Sequence, residues 1–316
     1  MELHQLVNTF GQDLQRRYGE KVHKLTLHGG FSCPNRDGTI GRGGCTFCNV
    51  ASFADETAKL IPINQQLAAR AGEVEKRAKR YLAYFQAYTN TYAEVETLRT
   101  MYEEALAGAD IVGLCVGTRP DCVPDAALEL LAEYKKQGYE IWLELGLQTA
   151  HDATLKRINR GHDFAAYAHI TKKARALGLK VCCHLIVGLP GEGREENMQT
   201  LERVVDVGVD GIKLHSLHIV EGSTMAKAWR AGRLSEISLD AYCDIAAEMI
   251  RHTPADVIYH RVSASARRPT LLAPLWCENR WVAMTEIGRR LDQQGAQGSA
   301  VGQAFVYTQP SIRKQD

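Results

Sequence analysis

The feature that most restricts how this chain can fold is an alternation of short β-branched or aliphatic runs with longer amphipathic stretches. Strands of a parallel sheet, covered by helices on its faces, read as near-continuous apolar runs, and each needs a long crossover before the next. The runs lie at 24–30, 84–90, 110–118, 140–148, 179–190 and 211–220, and a further one at 256–263 supplies a seventh. Helical patterns fill 64–80, 94–107, 124–137, 151–159, 163–177, 194–207 and 239–252. Asn64 and Asp163 are placed to cap helix starts, and Gly108, Gly138 and Gly178 to stop helices. Six βα repeats predict an α/β fold, an incomplete (β/α)6 TIM-type barrel rather than a closed eightfold one. Residues 1–22 read as an N-terminal extension, 23–230 as the partial barrel, and 231–316 as a C-terminal helical, capping region.

The composition suits such a core, with 45% apolar and 24% charged residues in 316. A formal net charge of +1 gives no global electrostatic case for a nucleic-acid, membrane or polyacid partner. No apolar run approaches the roughly 18 residues of a membrane span, and "MELHQLVNTFGQDLQRRYG" has no signal-peptide core. The chain therefore reads as cytoplasmic. Nine cysteines in such a chain argue for reduced thiols or a metal site, since an odd number cannot pair completely.

In partial and complete barrels of this kind the loops after the strands' C-terminal ends carry the chemistry. The first of these loops, "FSCPNRDGTIGRGGCTFCNV", holds Cys33, Cys45 and Cys48. Thiolates in this pattern bind zinc or an iron–sulfur cluster. A closed zinc site needs a fourth ligand, for which His23 and His28 are available, whereas a cubane held by three thiolates keeps one iron open to a substrate or cofactor. The eleven residues between Cys33 and Cys45 are no obstacle. Lengthening a closed loop from three residues to eleven costs only about 1 kcal/mol.

This loop resembles the cluster loop of the radical S-adenosylmethionine (radical SAM) superfamily, in which C-x3-C-x2-C is usual and the last pair often encloses an aromatic residue, here Phe47. The longer first gap is similar to that of the branch containing the catalytic subunit of Elongator. Later segments carry the same resemblance. "GTRPDCV" (117–123) is similar to the E-T-R-P-D element of that branch, with Gly117 in place of the acid. "ELGLQTAHDATLKRINRGHD" (144–163) resembles the fourth-strand segment of coproporphyrinogen dehydrogenase-like members, with Gln148 and Arg160 at the expected separation. "HLIVGLPGE" (184–192) is similar to the fifth-strand element that supports adenine.

The resemblance implies a [4Fe–4S] cluster on Cys33, Cys45 and Cys48, and S-adenosylmethionine contacted by Phe47, Thr89, Asn90, Arg119, Glu144, Gln148, Arg160 and His184. Arg160 suits the methionyl carboxylate, Glu144 the ribose hydroxyls, and Thr89 and Asn90 replace a glycine-rich element after the second strand. It further implies reductive cleavage of SAM to a 5′-deoxyadenosyl radical that abstracts hydrogen from a substrate, with a reductant such as flavodoxin or ferredoxin. The substrate itself is open between a small molecule, a peptide or protein, and RNA. Other groups expected to face inward are Tyr84, Tyr88, Cys115, Cys182, Cys183, His215, His218, His260 and Arg261; Cys122, just after a strand end, is the candidate reactive thiol. Basic runs at 76–80, 260–268 and 312–316 offer RNA contacts or solvated faces. The competing readings are an RNA-modifying radical SAM enzyme and a non-catalytic zinc or iron–sulfur protein.

Overall fold

The computed structural model describes residues 2–52, 54 and 56–303. The strands are β1 (Val22–Leu27), β2 (Arg80–Phe85), β3 (Ile111–Thr118), β4 (Glu140–Gln148), β5 (Lys180–Val187), β6 (Gly211–Ser216), β7 (Ile219–Val220), β8 (Ile258–Arg261) and β9 (Leu271–Ala273). The helices are α1 (Leu3–Leu6), α2 (Phe10–Tyr18), α3 (Pro34–Asp37), α4 (Ile63–Val74), α5 (Val95–Leu106), α6 (Asp125–Lys136), α7 (Asp152–Arg157), α8 (Phe164–Ala176), α9 (Arg194–Val207), α10 (Thr224–Arg230), α11 (Leu239–His252) and α12 (Arg280–Gln294). Seven strands form one parallel sheet in the order β1-β2-β3-β4-β5-β6-β8, while β7 and β9 make a separate antiparallel pair. The sheet curls into the expected half-barrel, and the run at 256–263 supplies its seventh strand as β8.

Two of the expected elements shift. The second strand is Arg80–Phe85, not 84–90, and helix α4 stops at Val74 instead of running to 80. "RYLAYF" is buried on both faces, which a central parallel strand requires, whereas alternation in "YFQAYTN" reflects a turn in which Tyr88 takes a left-handed φ of 64°. Asp163 caps α8 by accepting a hydrogen bond from the Ala166 N–H at 2.8 Å; Asn64 lies inside α4, whose cap position is Pro62.

Alternation along each strand divides the core in two. Ala83, Phe85, Ile141, Leu143, Val181 and Cys183 join the large layer between sheet and helices. Leu82, Tyr84, Cys115, Trp142 and Cys182, their neighbours in sequence, form a smaller cluster inside the barrel with Val22 and Ile258. Phe10 and Leu14 of α2 complete that inner cluster, so the N-terminal segment belongs to the barrel's interior. Strands β1 and β8 do not pair, and α2 closes the gap at the strands' N-terminal ends. Phe10 stacks on His260 at 3.9 Å between ring centroids and meets Trp142 edge-on at 5.3 Å. Just before α2, Asn8 accepts from the Tyr259 N–H at 2.8 Å. Arg17 grips Glu140, the first residue of β4, through two hydrogen bonds of 2.7 and 2.8 Å, and Lys180 and the Trp142 indole donate to the same carboxylate. None of the described helices is long and apolar enough to cross a membrane.

Replacing Phe10 by Ala removes the ring that seals the inner cluster and should destabilise the chain by about 3–5 kcal/mol. Urea unfolding of parent and variant checks this; a loss below about 1 kcal/mol would show that α2 is not part of the core.

Candidate functional site

The loop after β1 is shaped by its own residues before it meets anything else. Pro34, at the first position of α3, pre-sets the helical φ directly after Cys33, whose carbonyl accepts from the Arg36 and Asp37 N–H groups at 2.7 and 3.1 Å. Gly44 has φ 76°, a conformation that costs glycine nothing, and a Cβ there would lie 2.9 Å from Arg36 Nε. The Cys48 N–H closes a turn onto Cys45 O at 3.0 Å. The loop is then fastened to the segment after β4: Asn35, 1% exposed, donates to Asn159 O at 2.6 Å, and Asn159 returns a bond to Gly44 O at 2.8 Å. All nine cysteines are unpaired, and Cys33, Cys45 and Cys48 line one cavity of about 240 Å³ at the C-terminal ends of the strands. That is far more than the ~10–15 Å³ a single water needs, so the space is sized for a ligand.

Phe47, Thr89, Arg119, Glu144, Gln148, Arg160 and His184 line the same cavity. Arg160 is 7% exposed; it donates to Gly146 O through Nε at 3.1 Å and Nη2 at 2.5 Å, and its Nη1 lies 3.4 Å from Cys45 Sγ. A Cβ on Gly146 would stand 2.7 Å from that guanidinium and 2.9 Å from Gln148 Nε2, so the glycine makes room for both. Gln148 has φ 83°, unusual for a side-chain-bearing residue, at the point where the β4–β5 register shifts. Arg119 forms a bidentate pair with Asp121 at 2.7 and 3.0 Å. Its Nη1, together with Gln148 Oε1 and Thr89 Oγ1, is buried without a partner among the described residues.

Four positions are used differently from the sequence expectation. Asn90 does not line the cavity; it donates to Phe85 O at 3.2 Å and Gly117 O at 2.6 Å, pinning the turn after β2 to β3. Glu144 is fully buried, and both of its oxygens are taken by protein donors. Lys24 pairs with Oε1; Lys213 reaches Oε2 at 2.7 Å and His184 Nε2 reaches it at 2.8 Å; His260 Nδ1 lies 3.4 Å from Oε1. His184 thus faces inward, as expected, but toward this carboxylate. Cys122 lies in a separate recess with Ile40, Tyr92 and His169, and burial pushes its thiol up to about 12, which leaves it protonated at neutral pH.

Of the other inward candidates, Tyr84, Tyr88, His215, His218 and Arg261 line the cavity, Cys115 and Cys182 lie beneath it, and Cys183 faces the helix layer. The basic runs do not form one surface: Arg80 pairs with Glu20 at 2.7 Å, Arg268 pairs with Glu278 at 2.8 Å, His260 and Arg261 turn inward, and 312–316 lie outside the described residues. Lys24, Arg36 and Lys213 were not singled out from the sequence. Lys213 and His215 alternate with Ile212 and Leu214, so the period of two in "GIKLHS" carried that signal.

The electrostatics follow from the burial. Although desolvation pushes Glu144 up, Lys213 and Lys24 beside it, with the imidazoles of His184 and His260, hold it well below the usual carboxylate range. Burial pushes His184 and His218 down to about 4 and His260 to about 3, helped respectively by the charges of Lys213, Arg261 and Lys24. Burial pushes the Cys48 thiol up, with Arg36 acting against it.

A seven-stranded parallel half-barrel with a three-thiol loop over its C-terminal face defines an α/β protein with three free thiols beside a ligand-sized cavity. Residues 36–204 match the model of the radical SAM superfamily and residues 209–293 that of the radical SAM C-terminal domain. The chain belongs to the radical SAM superfamily, whose cofactors are S-adenosylmethionine and a [4Fe–4S] cluster. It is 72% identical over 306 residues to protein YhcC of Escherichia coli (strain K12), covering 97% of this chain and 99% of that one. It is 30% identical over 154 residues to the tRNA uridine(34) acetyltransferase of Dehalococcoides mccartyi, covering 48% of this chain and 33% of that one. Among solved structures the archaeal Elp3 of Methanocaldococcus infernus superposes with a TM-score of 0.63 at 17% identity, over 86% of this chain and 63% of that one, which shows a shared fold.

The depressed histidines set a pH dependence. An imidazole with a lowered folded pKa adds stability above its unfolded value of about 6.5, and that contribution is lost as pH falls toward the folded value. For His184 and His218 the loss runs from about 6.5 to about 4. Glu144, depressed instead, loses its contribution only below about 4.3. Urea unfolding of the unreconstituted chain should therefore show stability falling between pH 7 and pH 5, by at most about 2 kcal/mol per buried histidine. A flat profile across that interval would show that these imidazoles protonate freely in the fold.

Proposed function

We propose that this chain is a radical SAM enzyme in which Cys33, Cys45 and Cys48 hold the [4Fe–4S] cluster and the adjoining β3 and β4 ends hold S-adenosylmethionine. The observation that carries this reading is the three free thiols on one cavity wall, with the Arg160 guanidinium 3.4 Å from Cys45 Sγ. The surrounding groups fit the cofactors: Arg119 Nη1 is a buried donor suited to a carboxylate, and Gln148 Oε1 and Thr89 Oγ1 are buried groups suited to an ammonium or a hydroxyl. Arg160 serves the sulfur or the methionyl carboxylate, and Phe47 offers its face to a planar group. Asn90 acts by fixing the turn that carries Thr89, and Glu144 and His184 act by holding the floor beneath the site. When bound, the cluster and SAM would supply reductive cleavage of the S–C5′ bond, with one electron from a reductant such as flavodoxin or ferredoxin, methionine as the leaving group, and 5′-deoxyadenosine formed by taking a hydrogen atom from substrate. The protein's part is to exclude water and to hold the substrate C–H in place. Of the three segments read from the sequence, 23–230 carries six strands of the barrel sheet, 1–22 seals its interior through α2, and the described part of 231–316 adds the seventh strand, β8, with the closing helices.

A second reading, modification of RNA, is favoured by the tRNA-directed relative that matches half of this chain. Comparing modified nucleosides in tRNA from a deletion strain and its parent tests it.

Anaerobic reconstitution with iron and sulfide should give a brown protein that forms 5′-deoxyadenosine when reduced in the presence of SAM. Cys45→Ala should reduce that product to the no-enzyme background, and Arg160→Met should weaken SAM binding by about tenfold or more, the worth of one charge-assisted contact. Equal product from Cys45→Ala and the parent would overturn the site, and a colourless protein with one bound zinc would favour the non-catalytic reading.

A further inference from the structure

The cavity's charges are unevenly matched. Arg36, Arg119, Arg160, Lys213 and Arg261 line it, against Glu144 as the lining carboxylate. Most of these cations have local partners. Arg119 has Asp121, Arg36 donates to Cys48 O at 2.9 Å, Arg160 has Gly146 O and the Cys45 sulfur, and Lys213 has Glu144 and the Tyr84 hydroxyl at 2.8 Å. Arg261 stands apart. At the end of β8 it makes no hydrogen bond or ion pair with any described residue, and its Nε is buried without a partner. Glu144 cannot serve it, because Lys24, Lys213, His184 and His260 already take both oxygens.

Two imidazoles accompany this guanidinium. His215 of β6 and His218, just beyond it, have ring centroids 6.2 Å apart, and His218 Nε2 is a second buried atom without a partner. Arg261 is the register partner of Lys213 across β6 and β8, His215 lies two residues beyond Lys213 on the same face of β6, and Arg261, His215 and His218 all line the cavity. In the sheet β5 separates β6 and β8 from β4, and Arg119, Gln148 and Arg160 lie at or beyond the ends of β3 and β4. SAM does not answer the imbalance, since its sulfonium and ammonium outweigh its single carboxylate. A guanidinium withdrawn from water without a counter-charge is costly, and its planar fork matches a carboxylate or phosphate.

We propose that the β6–β8 side of the cavity is an anion subsite for the substrate, in which Arg261, with His215 and His218 beside it, binds a carboxylate or phosphate group that the substrate carries. This rests on the radical SAM reading for the meaning of "substrate", while the anion site stands on Arg261 and its surroundings.

The test uses the reconstituted protein with SAM bound, titrated calorimetrically with inorganic phosphate, with acetate, and with neutral acetamide. Phosphate or acetate should bind the parent with a stoichiometry near one and acetamide should not; whichever anion binds more tightly assigns the group. Arg261→Met should weaken anion binding by about tenfold or more and leave SAM affinity within about twofold, with Arg261→Lys falling between parent and Met variant. Without anion, Arg261→Met should melt no lower than the parent, because the change removes an unmatched cation. The subsite is overturned if neither anion binds the parent, if both bind Arg261→Met as they bind the parent, or if SAM affinity falls along with anion affinity. Formation of 5′-deoxyadenosine is followed in the same samples. Anion binding that depends on Arg261 in a parent that binds SAM but never cleaves it supports the subsite and counts against the proposed cleavage reaction.

Discussion

One buried carboxylate holds the interior together. Glu144, on the central strand β4, is met by Lys24 from β1, His184 from β5, Lys213 from β6 and His260 from β8. The inner positions of this barrel are not a stack of branched aliphatic side chains. They carry a lower apolar layer, a charged layer above it and then the cavity. Buried ion pairs add little net stability compared with apolar packing, but removing one member strands the others at a cost of several kcal/mol. What the arrangement fixes is geometry: it ties both edge strands of an open sheet to its centre without a hydrogen-bond ladder between them.

That geometry separates the two ends of the barrel. At the N-terminal ends of the strands, α2 seals the inner cluster with Phe10 and clamps Glu140 with Arg17. At the C-terminal ends the cysteine loop is tied to the segment after β4 through Asn35 and Asn159. The same segment delivers Arg160 and, through the left-handed turn at the end of β4, Gln148. Cysteine loop and arginine are therefore positioned by one network, so a change that loosens Asn159 would disturb both.

Much of this was legible in the sequence, and the reasons differ by element. Strands β3 to β5 are long, largely apolar runs that follow the glycine stops Gly108, Gly138 and Gly178, and no other pattern competes for them. The second strand was misplaced because the turn at Gln86–Asn90 imitates strand alternation, while the true strand begins with Arg80, a charged residue that its ion pair with Glu20 makes tolerable at a strand end. The three cysteines were legible from type and spacing alone. Glu144 and Asn90 were read as cofactor contacts, because the partners that occupy them come from strands and turns distant in sequence, which local patterns cannot supply. Arg261 was visible as an inward group; that nothing pairs with it depends on how the other charges are distributed in space.

The role of α2 has a consequence for how the protein can fail. Every cysteine lies downstream of it, so a chain clipped near residue 20 would keep all nine cysteines. Such a chain would nonetheless admit water beside Trp142 and Lys24 and leave Glu140 short of a counter-ion. Proteolysis at the amino end would thus silence the site from beneath, by flooding the barrel, without touching a residue that faces the cavity.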